Sequence, residues 1–231
     1  MESQQTFNTL QRMSSDAVYL ILEGRAEEAL AYLAQCAEAT RCHLSTTKDV
    51  PVSSPQSQAP LTLFAISLNE VVYPFDCTEQ VSPDNCFRLH RYVYHIDGMI
   101  ASPNHSAFQK LLATILYNMA VVSHESVQGG LYPNILEKVR IFYELALAMI
   151  HLDKDGSSLT FDATPLELAL YNNLGHIYAF FFNRDGVFFC RDRLDDILSH
   201  APASSLGSDT FVFFQAPAFM ARNHMSKAPA A

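Results

Sequence analysis

Two stretches of helical periodicity with only Glu23-Gly24-Arg25 between them constrain this chain most. After the break, Ala29, Leu30, Leu33, Cys36 and Ala37 recur at three- and four-residue spacing along one face. Glu27 and Glu28 open that helix, where the dipole favours negative charge. Before the break, Ser14 or Ser15 is expected to cap a short run ending near Leu22, and Gly24 stops it at the least steric cost. Two helices this close must fold back on each other. A hairpin of this kind leaves an apolar stripe that only further elements can cover.

The remaining organisation follows from where periodicity stops and resumes. Residues 1–44 form the first hairpin, and residues 45–60, with Pro51, Pro55 and Pro60 among serines, read as a flexible loop. Residues 61–103 hold a β-containing insertion: 61–73 and 87–96 are rich in Phe, Val, Ile and Tyr and are bounded by Pro74, Pro83 and Pro103. Residues 104–200 carry two further hairpins. A strongly apolar helix begins at Asn104 or Ser106, Gly129-Gly130 and Pro133 separate it from its partner, and Thr164-Pro165 opens the next pair. Residues 201–231 are expected to contain a short strand, Thr210-Phe211-Val212-Phe213-Phe214, and a frayed tail. The aromatic run Tyr178-Ala179-Phe180-Phe181-Phe182 is expected in the core.

Internal repetition sharpens this picture. Tyr171-x2-Leu174-Gly175-x2-Tyr178 resembles the first-helix signature of a tetratricopeptide repeat, with Tyr where the family usually has Trp. Leu116-x2-Met119-Ala120 is a weaker echo, and Val139-x3-Tyr143-x2-Ala146 and Ala29-x3-Leu33-x2-Cys36 are similar to the second-helix series. The resemblance covers roughly half of the chain, and the family's logic is that each hairpin buries its face by stacking on the next. It implies a mainly α fold, a short solenoid of antiparallel TPR-like hairpins, here with a small β-hairpin insertion and a C-terminal strand.

The resemblance also implies a function, an intracellular protein–protein interaction scaffold that holds a peptide or partner helix in a concave groove. Carried onto this sequence, the groove residues are Tyr117, Asn118, Val121 and His124 on one helix and Asn172, Asn173 and His176 on another. Asparagine amides suit a peptide backbone because they offer both donor and acceptor. The groove lacks Lys and Arg, apart from Lys110 one turn earlier, so an apolar or uncharged polar partner is expected rather than an acidic C-terminus. The local alternative is that Asn118 and Asn173 bond across their own helix pairs.

Composition excludes several other classes. A formal charge of −9 with 15 scattered Lys and Arg argues against nucleic acid, and no apolar run is long enough to span a membrane. The first residues carry no basic segment followed by an apolar one, so an intracellular, cytoplasmic location is expected. The 5 cysteines include no C-x-x-C and read as buried free thiols. No phosphate-loop, dinucleotide or serine-hydrolase fingerprint is present, and Asp153-Lys154-Asp155-Gly156 departs from a calcium loop. Neither cofactor nor metal is therefore expected, and the chain is not expected to be an enzyme. The rival reading is a divergent enzyme or small-ligand binder with a pocket between the β insertion and the helices, using Cys86, His90 or His95.

Overall fold

The computed structural model describes residues 2–47, 61–68, 87–100, 102–127, 132–152, 162–201, 213–215 and 217. In chain order the elements are α1 (Glu2–Leu22), α2 (Ala26–Thr46), β1 (Thr62–Ser67), β2 (Tyr92–Asp97), α3 (His105–Ser126), α4 (Pro133–His151), α5 (Thr164–Phe180) and α6 (Arg184–His200). The fold is mainly helical, with one two-stranded antiparallel sheet among the described residues. Two compact units divide it. The first comprises Met1–Asp76 with Arg91–Ala163, the second Cys77–His90 with Thr164–Ala231, so the expected run of hairpins over 104–200 is shared between them.

In the first unit α1 packs on α2, both meet α3, and α3 packs on α4. The first helix is longer than its cap signals suggested. Phe7 and Leu10 extend the apolar stripe of Ala17, Val18 and Ile21 back toward the N-terminus, so Ser14 and Ser15 lie inside α1 and do not cap it. The Ser15 hydroxyl donates to the Gln11 carbonyl at 2.9 Å, the backbone-bonding that lets serine sit within a helix. Across the hairpin, Ala29, Leu33, Cys36, Thr40 and Leu44 are buried, as the spacing in α2 requires. Each large apolar side chain so buried contributes about 1.5–3 kcal/mol. The Cys36 thiol donates to the Leu10 carbonyl at 3.2 Å, and burial pushes its pKa up to about 12. Of the other described cysteines, Cys190 is buried and Cys42 is exposed, against the expectation that all were buried.

The break between α1 and α2 is a Schellman turn. Gly24, at φ +76°, donates its N–H to Ile21 O at 3.0 Å, and Arg25 donates to Leu20 O at 2.9 Å. Helix α2 runs to Thr46, into the stretch expected as loop; residues 48–60 lie outside the described residues. Asn104 caps α3, its side-chain oxygen accepting from Ala107 N–H at 2.9 Å. Helix α3 is buried on nearly every side, including its charged residues. Glu125 is covered, and Arg91 holds it through two charge-assisted bonds of 2.7 and 2.6 Å.

The sheet falls where the β-rich segments were expected, although β1 is shorter than 61–73 and β2 begins at Tyr92. The register pairs Leu63 with Ile96, Phe64 with His95 and Ala65 with Tyr94.

In the second unit α5 packs on α6 through a second Schellman turn. Phe182 occupies the left-handed position at φ +54°, its N–H bonding Ala179 O at 3.1 Å, while Asn183 N–H bonds Tyr178 O at 2.9 Å. This Phe is 92% exposed and Tyr178 to Phe181 are half-buried, so the aromatic run is not the core that was expected. A helix end carries one residue past its buried face, and here that residue is Phe182. The expected C-terminal strand is also corrected: residues 213–215 are helical, and 209–212 lie outside the described residues. Phe213 and Phe214 both meet the His90 ring, at centroid distances of 5.2 and 4.8 Å. Adjacent residues in a strand point to opposite faces, whereas a helical turn lets both reach one imidazole.

Candidate functional site

The asparagines expected to line a peptide groove do hold an extended backbone, and it belongs to this chain. In the first unit, Tyr94 N–H donates to Asn118 Oδ1 at 2.8 Å and Asn118 Nδ2 donates to Tyr94 O at 2.7 Å. In the second, His90 N–H donates to Asn173 Oδ1 at 2.8 Å and Asn173 Nδ2 donates to His90 O at 3.3 Å. Asn172 Nδ2 donates to Arg88 O at 2.6 Å and to Asn173 Oδ1 at 3.1 Å. These bonds join Asn118 and Asn173 to the extended segment and not to the facing helix of their own pairs.

The parity of the clamped residues explains the arrangement. In the first unit Tyr94, Ile96 and Gly98 give backbone groups to side-chain amides, Gln11 Nε2 donating to Ile96 O at 3.0 Å and Gly98 O at 3.1 Å; in the second, Arg88 and His90 do so. Odd-numbered Arg91 instead accepts from Leu68 N–H at 2.8 Å, on the side of β1. An extended segment alternates the direction of its polar groups, so helices that bury the edge opposite β1 must supply donors and acceptors there. Carboxamides do so without bringing charge into the core. Gln11 was missed by sequence reasoning. Its only signal is a polar residue beside the apolar Leu10, and that does not distinguish it from any other surface Gln.

The groove expectation is therefore corrected for most of its residues. Tyr117, Asn118, Val121, His124, Asn172 and Asn173 are buried, and His176 is half-buried. Tyr117 stacks edge-on with Tyr94 at 5.1 Å and lies 5.8 Å from Tyr143, while His124 Nδ1 is 3.4 Å from the Tyr143 hydroxyl. The reason is length of chain: the β insertion supplies an extended segment of its own to these amides, which hold it at Tyr94, His90 and Arg88, while Asn172 Oδ1 is buried without a hydrogen-bond partner. Gly175 follows the same logic. A Cβ there would stand 2.3 Å from the Phe87 ring, so the small residue of the repeat-like motif admits an aromatic from the extended segment.

The residues of the rival reading are dispersed in chemistry. Cys86 lies outside the described residues. His90 is buried against Phe213 and Phe214, and burial pushes its pKa down to about 3. His95 Nδ1 lies 3.0 Å from the Ser15 hydroxyl, and partial burial lowers its pKa. Among the described residues no group of three His, Cys, Asp or Glu is placed to hold a metal ion. No described helix is long and apolar enough to cross a membrane.

Surface apolarity is concentrated instead on α4. Its inner face buries Leu136, Val139, Tyr143, Ala146 and Leu147. Its outer face presents Ile141, Leu145 and, just past its end, Leu152, at exposures from 43% to 59%. Ile141, Leu145 and Leu152, at i, i+4 and i+11, form one stripe about 16 Å long at 1.5 Å per residue, while Ile135 sits about 100° around the helix from it. Glu137, Arg140 and Glu144 form an ion-pair chain along the same helix. Comparison of the chain with protein-family models, curated proteins and solved structures finds no match.

Proposed function

We propose that this chain is a protein-interaction scaffold of the helical-hairpin class, and that it receives an amphipathic helix of its partner along α4. The observation that carries the reading is the outer stripe of Ile141, Leu145 and Leu152 on a helix whose opposite face is already committed to the core. Solvent-exposed aliphatics aligned over several turns match the way an amphipathic helix is bound, through anchors at i, i+3, i+4 and i+7. The tetratricopeptide-like spacing supports a hairpin scaffold. The occupied amides at Asn118 and Asn173 favour a partner surface outside that groove. The free thiols Cys36, Cys42 and Cys190 fit a reducing compartment.

The reading is tested by panning a displayed peptide library against the wild-type chain and against an Ile141→Lys, Leu145→Lys variant with unchanged helical circular dichroism. Enriched peptides should share apolar residues at helical spacing and lose binding to the variant by more than tenfold. Peptides that bind both proteins equally, or no enrichment at all, would overturn it.

A further inference from the structure

The outer edge of the small sheet, at Leu63 and Ala65, carries a second, independent surface. Tyr94 gives its backbone groups to Asn118, and Ile96 gives its carbonyl to Gln11, so the even-numbered residues of β2 turn away from β1. The odd-numbered residues Val93, His95 and Asp97 turn toward it, opposite Ile66, Phe64 and Thr62. Alternation then points the N–H and C=O of Leu63 and Ala65 outward from the sheet. Among the described residues nothing pairs with those outward groups.

Edge strands are usually protected by Lys, Pro, a bulge or a covering element. The sequence of β1, Thr62-Leu63-Phe64-Ala65-Ile66-Ser67, has no charge and no proline, and Phe64 at its centre is 48% exposed. We propose that two copies of this chain pair through β1, antiparallel about a two-fold axis at Phe64, to make a four-stranded sheet. This goes beyond the scaffold reading, which rests on α4.

A second copy fits because the strand is complementary to itself in this register. Leu63 of each copy lies opposite Ala65 of the other, which uses the outward groups of these two residues and forms four backbone hydrogen bonds. Phe64 meets its own counterpart at a non-hydrogen-bonded site, where side chains approach most closely and aromatic pairs are favourable. Thr62 faces Ile66, both β-branched, and no charge opposes a like charge. An unrelated strand would have to supply each of these matches separately, whereas symmetry supplies them here. An edge of six residues is a small interface, so the pairing is reversible and depends on concentration.

The test is sedimentation velocity of the full chain over a concentration series. The wild type should shift from monomer to dimer. Phe64→Lys should lower the association constant by at least tenfold, and so should Ala65→Pro, which removes an outward donor without touching the β1–β2 bonds. Leu145→Lys on α4 should leave association unchanged. Cysteine scanning in a Cys42→Ser background guards against variants that merely misfold: under copper-phenanthroline oxidation, Phe64→Cys should form dimers faster than Leu63→Cys or Ala65→Cys. A chain that stays monomeric throughout overturns the proposal, as does a dimer indifferent to Phe64→Lys or one lost only with Leu145→Lys. Binding of an unrelated strand peptide, blocked by Ala65→Pro while the chain remains monomeric, assigns the edge to another partner and overturns it too.

Discussion

The carboxamide of Asn118 holds both backbone polar groups of Tyr94, at 2.8 and 2.7 Å, and thereby closes the edge of β2 that faces away from β1. Both residues are buried, so water offers these groups no substitute. Replacing Asn118 with Leu strands a donor and an acceptor, each costing about 1–3 kcal/mol. Asn118→Leu should lower unfolding free energy by about 2–4 kcal/mol in urea titration, and Asn118→Asp should cost as much because its second oxygen opposes the Tyr94 carbonyl. A loss below about 0.5 kcal/mol, the range of ordinary surface changes, would show the clamp to be dispensable.

The two Schellman turns predict substitutions of opposite sign. Nothing lies within 4 Å of a Cβ built on Gly24, so Gly24→Ala costs only the left-handed backbone, about 1 kcal/mol. Phe182 already bears that strain and buries little in return. Phe182→Gly should therefore stabilise, raising the thermal midpoint while Gly24→Ala lowers it. Matching signs in a calorimetric scan would refute the shared account.

At Gly175 the obstacle is contact. A methyl group there overlaps the Phe87 ring at 2.3 Å, and Phe87 is buried. Gly175→Ala should cost about 1–3 kcal/mol, as overpacking does. Combining it with Phe87→Leu should cost less than the sum of the two single changes, and strict additivity in the double-mutant cycle would separate the two residues.

Burial of His90 makes stability depend on pH. Its folded pKa is pushed down to about 3, below the ordinary 6.5, so between those values the unfolded chain binds a proton that the folded chain refuses. Stability is fully present above pH 6.5 and falls as pH drops toward 3, at a slope near 1.4 kcal/mol per pH unit for one such group. His43 and His95 are lowered by burial as well and act in the same direction. His90→Phe, which keeps an aromatic against Phe213 and Phe214, should flatten the urea-midpoint profile over this window. An unchanged profile would assign the acid sensitivity elsewhere.

Much of the helical framework was legible in the chain. The Gly24 break, the buried series Ala29, Leu33 and Cys36, the Asn104 cap and the two β-rich segments were all readable from neighbours within four residues. The misreadings share a cause. Ser14 and Ser15 looked like caps because local rules favour serine there, yet Phe7 and Leu10 found apolar cover and kept α1 going. Phe213 and Phe214 looked like strand because aromatics suit a pleated face, yet they meet one His90 ring from a helical turn. The asparagines were recognised as backbone-holding amides, but not which backbone they hold.

What the sequence by itself determined is local: hydrophobic period, glycine conformation and cap chemistry act between residues a turn apart and decide where helices begin, face and stop. What only the tertiary structure decided is the occupant of the amide edge. Asn118 reaches a residue 24 positions away and Asn173 one 83 positions away, separations at which no periodic signal survives. Those partners are chosen by the need to satisfy every buried N–H and C=O once the helices have packed, and that condition exists only in the folded chain.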